Sequence, residues 1–176
     1  MPELISYQGT PADGYAEPVT LDDVKANIVV DFTDLDDLIT KWITSERQRC
    51  EKVLGLSLVN TDIKALYRAH GNCKHRYQLY YGPITTGDDG PIITGLPDDA
   101  IVKGYGANIW VETWADELDL SYSASWGASV PEWAKQAIYE QIAWRIEHRG
   151  DESIPKISPE AMETMNPYRI NLAYAI

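Results

Sequence analysis

The chain has 176 residues, of which 44% are hydrophobic and 24% charged, a composition that suits one folded domain with a core of its own. Its 27 acidic side chains outnumber the 15 basic ones, which gives a formal net charge of −12. Such a charge excludes a dedicated nucleic-acid binder, although it allows a protein that lines a passage for DNA. No apolar run approaches the roughly 18 residues of a membrane span, so no membrane contact is expected. Two cysteines make no disulfide framework and suit a reducing cytoplasm.

The N-terminal third predicts a leader followed by two helices. Residues 1–17 lack the basic start and the apolar core of a secretory signal, so we expect an irregular acidic leader. Thr20 and Asp23 form a capping-box-like pattern at the start of a short amphipathic helix. A longer helix is predicted over residues 34–55, because its apolar side chains recur at the i, i+3, i+4, i+7 spacing and Gly55 follows its last turn.

One polar residue stands out in the long helix. Glu46 falls near the middle of the apolar stripe, and Arg49 follows three positions later. Three interpretations stay open: an ion pair with Arg49, a side chain that reaches solvent along the surface, or a contact with another subunit. We favour the ion pair and keep both residues as candidates for an interface between subunits.

From about residue 60 the hydrophobic period changes to two, the period of a strand. We expect a small antiparallel sheet or hairpin, inserted over about residues 60–128 between the long helix and the next one. The predicted class is therefore α+β and mainly helical, with about four helices in a single domain over residues 18–167. The last two predicted strands form a hairpin, and the first two flank a Gly-Asn turn. The predicted strands are 63–68, 76–81, 101–105, 109–114 and 118–123.

A further long helix, predicted over residues 131–149, carries apolar side chains on two sides. One ridge consists of Ile138, Ile142 and Ile146. A helix that is apolar on two sides is either deeply buried or shared between its own core and a neighbour. We expect sharing between subunits, with this ridge as the candidate interface.

The chain closes with a short helix that starts near Ser158 and with an apolar tail over residues 168–176. An apolar C-terminal tail is usually docked against something. We therefore take five tail residues as candidates for docking to a partner. They are Tyr168, Arg169, Ile170, Leu172 and Tyr174.

No catalytic, cofactor or metal site is predicted. Residues 70–75 supply two histidines and one cysteine, whereas a structural zinc site needs four ligands that usually come in two pairs. Four pairs of adjacent aspartates are explained by helix starts and turns. The sequence contains no phosphate loop, nucleophile elbow or zinc-protease motif, so we expect no enzyme.

The turn near residues 70–75 is locally basic on an acidic chain. Arg68, Lys74 and Arg76 lie around it, an arrangement that suits docking to an acidic partner or contact with DNA phosphates. A solvated strand end is the alternative. Six Trp and eleven Tyr against one Phe also indicate interfaces. Trp110 and Trp114 are predicted to share a strand face, either as a core cluster or as a platform for a sugar or a partner.

Five stretches follow one another along most of the chain, from Glu17 to Arg169. They are EPVTLDDVKANI, DLDDLITKWITSERQRCEKVLGLSLV, LYYGPIT, VPEWAKQAIYEQIAWRIEHRGDE and MNPYR. In this order and spacing they resemble the head–tail connector family of tailed bacteriophages. This chain has a longer leader and a longer β region than that family, and the family has no catalytic residues to carry over.

The resemblance implies a head-completion or adaptor protein of the virion neck, made in the cytoplasm of the bacterial host. Such proteins form a ring of about a dozen copies on the portal protein, extend the DNA channel and carry the next neck or tail-completion protein. The DNA then passes close to the ring without specific binding. Two alternatives stay open: another neck or tail-completion protein, and, in a different class, an aromatic-rich carbohydrate-binding module or an enzyme with an unrecognised site.

Overall fold

The computed structural model describes residues 2–29, 33–87, 90–105, 107–126, 129–151 and 156–170. Strands and helices are numbered separately along the chain. The strands are β1 (Glu3–Pro11), β2 (Thr61–Arg68), β3 (His75–Gln78), β4 (Thr86–Gly87), β5 (Gly90–Pro91), β6 (Ile93–Thr94), β7 (Ile101–Tyr105), β8 (Asn108–Thr113) and β9 (Glu117–Ala124). The helices are α1 (Leu21–Ile28), α2 (Asp36–Leu54), α3 (Glu132–Glu147) and α4 (Pro159–Met165), and a short 3₁₀ turn follows over Asn166–Tyr168.

Backbone contacts divide the chain into two compact units. The β unit comprises residues 1–15, 55–127 and 170–176, and the helical unit comprises residues 16–54 and 128–169. The sequence analysis instead expected one domain with an inserted sheet. The described strands all belong to the β unit and the described helices all belong to the helical unit.

The prediction of a mainly helical fold is wrong. The fold is α+β with about 34% helix and 29% strand, and its two larger sheets are antiparallel. Part of the difference comes from the N-terminal leader, which is a strand over Glu3–Pro11 rather than irregular. Most of the side chains of β1 are exposed, so its sequence lacks the apolar alternation that would mark a strand.

The larger sheet of the β unit has the strand order β1-β2-β9-β6, and the second sheet has the order β3-β8-β7. β2 pairs along its whole length with β9, from Thr61 opposite Ala124 to Arg68 opposite Glu117. β8 and β9 therefore lie in different sheets, so the predicted hairpin between them is wrong, and β2 and β3 are separated in the same way. Pairing between strands far apart in sequence leaves no local signal.

The core of the β unit is apolar and aromatic. Alternate side chains of β2 and β9 are buried, as the period of two predicts, and Ile63 faces the same interior as Leu120. Tyr77 and Val111 from the second sheet belong to the same cluster. Each fully buried large apolar side chain contributes roughly 1.5–3 kcal/mol relative to its exposed state. This cluster therefore accounts for much of the stability of the unit.

Helix α1 of the helical unit begins at the predicted capping box. Asp23 N–H donates to Thr20 Oγ1 over 3.1 Å, and Thr20 N–H donates back to Asp23 Oδ2 over 3.0 Å, so two helix-end donors are satisfied. The long helix, α2, buries Ile39 and Ile43 on its apolar stripe. None of the described helices is long and apolar enough to cross a membrane.

The helical unit also buries ions. Arg47 of α2 is 1% exposed, and its Nε donates to Glu17 Oε2 over 2.7 Å while its Nη1 donates to Glu51 Oε2 over 2.6 Å. A guanidinium and a carboxylate form strong, directional bonds of this kind. Glu17 is thereby fixed to α2, although the sequence analysis assigned it to the leader.

Candidate functional site

Glu46 is fully buried in the helical unit, and polar side chains from two helices surround it. Arg49 Nη1 donates to Glu46 Oε2 over 2.8 Å, and Gln141 Nε2 donates to the same oxygen over 3.2 Å. Arg145 Nη1 donates to Glu46 Oε1, which also accepts a hydrogen bond of 3.3 Å from Ser45 Oγ. The carboxylate therefore joins α2 to α3 through charge-assisted hydrogen bonds.

The same network reaches the segment that leads into α4. The backbone carbonyl of Lys156 accepts from Gln141 Nε2 over 3.0 Å and from Arg49 Nη1 over 3.1 Å. Ser158 N–H donates to Gln141 Oε1 over 2.9 Å, and Ser158 Oγ caps α4 by accepting from Ala161 N–H over 2.8 Å. One buried amide thus fixes the start of α4 on α3.

The charges of this network do not balance. The single carboxylate of Glu46 faces two guanidiniums, those of Arg49 and Arg145. Arg145 lies 4.9 Å from the ring centre of Trp42, and its burial lowers the pKa of its guanidinium because a desolvated cation is disfavoured. The site therefore holds more positive charge than its own carboxylate neutralises.

A pocket of about 610 Å³ opens beside this network. Its walls include Trp144 and His148, whose rings are tilted relative to each other with centres 3.9 Å apart. A pocket with cationic and aromatic walls can bind an anionic group and shelter it from water. We call it the basic pocket. The side chains that give it this character are Arg49, Arg145, Arg149, Lys156, Trp42 and Trp144.

The predicted pair of Glu46 with Arg49 is present, and their contact with another subunit stays a prediction. The sequence analysis missed Arg145 and Gln141, which lie about a hundred positions away and meet Glu46 only in the fold. One signal was available. Gln141 lies three positions after Ile138 and directly before Ile142, so it is a polar residue on the apolar side of α3. Glu46 has the corresponding position on the apolar stripe of α2.

The isoleucine ridge faces the interior of the helical unit. Ile138 and Ile142 are 0% exposed, and Ile146 is half-buried. The ridge therefore serves the core of its own unit, and its predicted contact between subunits stays a prediction.

The first tail residues contact their own chain. Tyr168 stacks on Trp133 of α3 with ring centres 4.0 Å apart, and Arg169 Nε donates to the carbonyl of Val53 over 3.2 Å. Ile170 is partly buried against the apolar cluster of the β unit. The two remaining candidates, Leu172 and Tyr174, lie outside the described residues, and docking to a partner stays a prediction for the whole tail.

Two of the three predicted cationic side chains at the basic turn contact other residues of the β unit. Arg68 pairs with Glu117 across the sheet surface over 2.8 Å, and Arg76 lies over the ring of Trp110 at 3.8 Å. Lys74 is exposed. Trp114 is 60% exposed and lies beyond the end of β8, so it does not form the predicted core cluster with Trp110.

The histidine and cysteine cluster of this turn is explained by structure. His75 is 5% exposed, and its Nε2 lies 2.9 Å from Asp116 Oδ1. Cys73 Sγ lies 3.8 Å from His75 Nδ1. Among the described residues, no group of three or more histidines, cysteines or acids is placed to hold a metal ion.

No protein-family model matches this sequence, and no curated protein matches it. Two solved structures have a similar fold. One is the neck of an empty gene transfer agent particle computed with C6 symmetry: it is 13% identical, with a TM-score of 0.64, and the match covers 92% of this chain and 95% of that one. The other is the virion of a native gene transfer agent particle, with the same identity and coverage and a TM-score of 0.65. At this identity the likeness establishes a shared fold.

Proposed function

We propose that this chain is a structural protein in the neck of a phage-like particle. The observation that carries the proposal is the fold. It is shared over 92% of this chain and over 95% of the length of each matched chain, and these chains come from the neck and the virion of gene transfer agent particles. The match leaves little of either chain unpaired, so the likeness is to a whole subunit of those particles rather than to one shared module.

We further propose that copies of the chain form a ring that docks on the portal, surrounds the DNA path and carries the next neck or tail protein. The net charge of −12 supports this role, because an acidic wall does not retain DNA that has to move past it. A closed ring needs two different patches on each subunit that fit one another, as in any head-to-tail assembly.

Deletion of the gene in a strain that produces the particles tests the neck role. We expect filled or empty heads without tails, together with free tails, in electron micrographs, and we expect the gene supplied in trans to restore joined particles. Normal tailed particles without the protein would contradict the proposal. A tagged chain that is found on free tails but not on heads would favour the alternative, a tail-completion protein.

The docking role proposed for the tail needs a separate variant. A chain that ends after Ile170 lacks Leu172 and Tyr174 but keeps Tyr168, which stacks on Trp133. We expect this variant to be soluble and folded by circular dichroism, and yet absent from purified heads. Full incorporation into heads would show that the last six residues do not dock.

A further inference from the structure

The basic pocket carries more positive than negative charge. Four cationic side chains line it, those of Arg49, Arg145, Arg149 and Lys156. Among the described residues of the pocket and of the network beneath it, only two carboxylates oppose them, those of Asp151 and Glu46. Among these described side chains the surplus is two positive charges, on a chain with a net charge of −12.

The aromatic walls make this surplus effective. Trp42 and Trp144 border the pocket, and the neighbouring side chains of Arg49 and Arg145 are 35% and 36% exposed, so these two cations are only partly hydrated. Ion pairs strengthen as the local dielectric constant falls. Burial lowers the pKa of the Arg145 guanidinium because it disfavours the charged form. A carboxylate from a partner would offset this desolvation and would therefore be bound more favourably.

The other end of α2 has the opposite charge. Asp34 and Asp37 are exposed at the start of the helix, whereas their neighbour Asp36 already pairs with Lys25 over 2.7 Å. Asp37 and Arg49 are twelve positions apart on α2, which places them roughly 18 Å apart along the helix axis. The acidic end and the basic pocket of one copy therefore cannot meet, whereas those of two copies can.

We propose that the basic pocket of one copy binds the carboxylates of Asp34 and Asp37 of the next copy. The partner is a second copy of this chain, and the contact is head-to-tail because the two patches are different surfaces. Charge complementarity selects this partner, since each copy carries both the surplus of cations and the exposed acids. The proposal extends the proposed function by assigning the ring contact, and it rests on that function.

The experiment uses purified full-length chain and two double charge reversals. The pocket variant is R149E/K156E, which leaves the side chains that hold Glu46 unchanged. The acid variant is D34K/D37K. The control is K52E/K64E, which reverses two exposed lysines outside both the pocket and the acidic end of α2 and shifts the net charge as much as the pocket variant does. Circular dichroism verifies that each variant is folded, and mass photometry measures self-association over a concentration series.

We expect wild type and the control to associate similarly, and each reversed variant to associate about 10- to 100-fold more weakly, because like charges then face each other. The chain that carries all four reversals regains association. A mixture of the pocket variant and the acid variant also regains association, because both contacts between the two variants join opposite charges: the reversed pocket meets the reversed helix end, and the wild-type pocket meets the wild-type helix end.

Three results would overturn the proposal. The first is unchanged association of the pocket variant, and the second is failure of the fourfold variant to recover while it is folded. The third is a pocket variant that loses only binding to duplex DNA at low salt, which would identify phosphate as the ligand. If the wild-type chain stays monomeric at every concentration, the same variants are compared in particles instead. There the pocket variant must fail to complement the gene deletion and the fourfold variant must restore it.

The outcome also separates this inference from the proposed function. Tailless heads on gene deletion together with full complementation by the pocket variant would end the inference alone. Normal particles on deletion would end the proposed function, and with it the premise of a ring.

Discussion

In the β unit, the buried side chains that join the two larger sheets are apolar or aromatic, whereas the helical unit places buried ions between its elements. Leu120 and Tyr77 represent the first kind of core, and Glu46 and Arg47 the second. Apolar burial is non-directional and roughly proportional to area. A buried ion pair depends on geometry, and removal of one partner leaves a charge without compensation.

The difference shows what each unit has to specify. Strand register already fixes which side chains of β2 and β9 point inward, so apolar contacts suffice to close the β unit. Helices can slide and rotate on apolar faces more freely than paired strands. We infer that the bonds of Glu46 to Arg145 and Gln141 select one arrangement of α2, α3 and the start of α4.

The largest effect is expected in the β unit. Leu120→Ala should lower the free energy of unfolding by about 4 kcal/mol, because the side chain is 0% exposed and its removal leaves a cavity between packed neighbours. Urea unfolding followed by circular dichroism measures this change. Hydrogen exchange should show the loss of protection in β2 and β9, and a loss confined to the helices would contradict the division into two units.

The next effect tests the ionic core. Glu46→Ala should destabilise the helical unit by about 3 kcal/mol, at the lower end for a broken buried pair because Arg49 and Arg145 are 35% and 36% exposed and water can reach them. Hydrogen exchange in α3 and α4 should increase while β9 is little changed.

Glu117→Ala is the matched control for the loss of Glu46. It also removes one carboxylate from an arginine, but both partners of this pair are about half exposed, so the expected change is below about 1 kcal/mol. Equal losses of stability in the two variants would show that burial does not make the ion pairs of Glu46 stronger than the exposed pair of Glu117.

Local signals account for what the sequence predicted correctly. The long helix was expected over residues 34–55 and runs over Asp36–Leu54, because its periodicity and its end signals lie within the helix itself. The capping box at Thr20 was found for the same reason. Strands β2, β7, β8 and β9 were located from their period of two, whereas their partners were not, since pairing is a property of distant segments.

The two main failures have different physical origins. β1 exposes most of its side chains, so it presents no apolar period and is recognisable only from its hydrogen bonds to β2. In the site, Glu46 was conspicuous as a polar residue in an apolar stripe and its pair three positions away was predictable. Arg145 was not, because its contact depends on how α3 packs against α2.

The smallest effect concerns an exposed carboxylate of the β unit and tests whether that unit has any dependence on charge. Asp99 accepts hydrogen bonds from Trp114 N–H over 2.8 Å and from Thr113 Oγ1 over 2.7 Å, and these bonds lower the pKa of its carboxyl below the usual 3.8. A carboxyl whose pKa is lower in the folded state than in the unfolded state stabilises the fold at any pH above the unfolded-state pKa. This stabilisation is lost as the pH falls through the folded-state pKa. Asp99→Asn should therefore be less stable than wild type near neutral pH.

The gap between the urea midpoints of wild type and Asp99→Asn should narrow as the pH falls from about 5 to about 2. Asp98→Asn removes a carboxylate from the same turn and leaves the bonds of Asp99 to Thr113 and Trp114 in place, so it is the matched control for the change in charge. A constant gap for Asp99→Asn would mean that the hydrogen bonds, and not the charge, stabilise this turn. The β unit would then depend on charge even less than its apolar core implies.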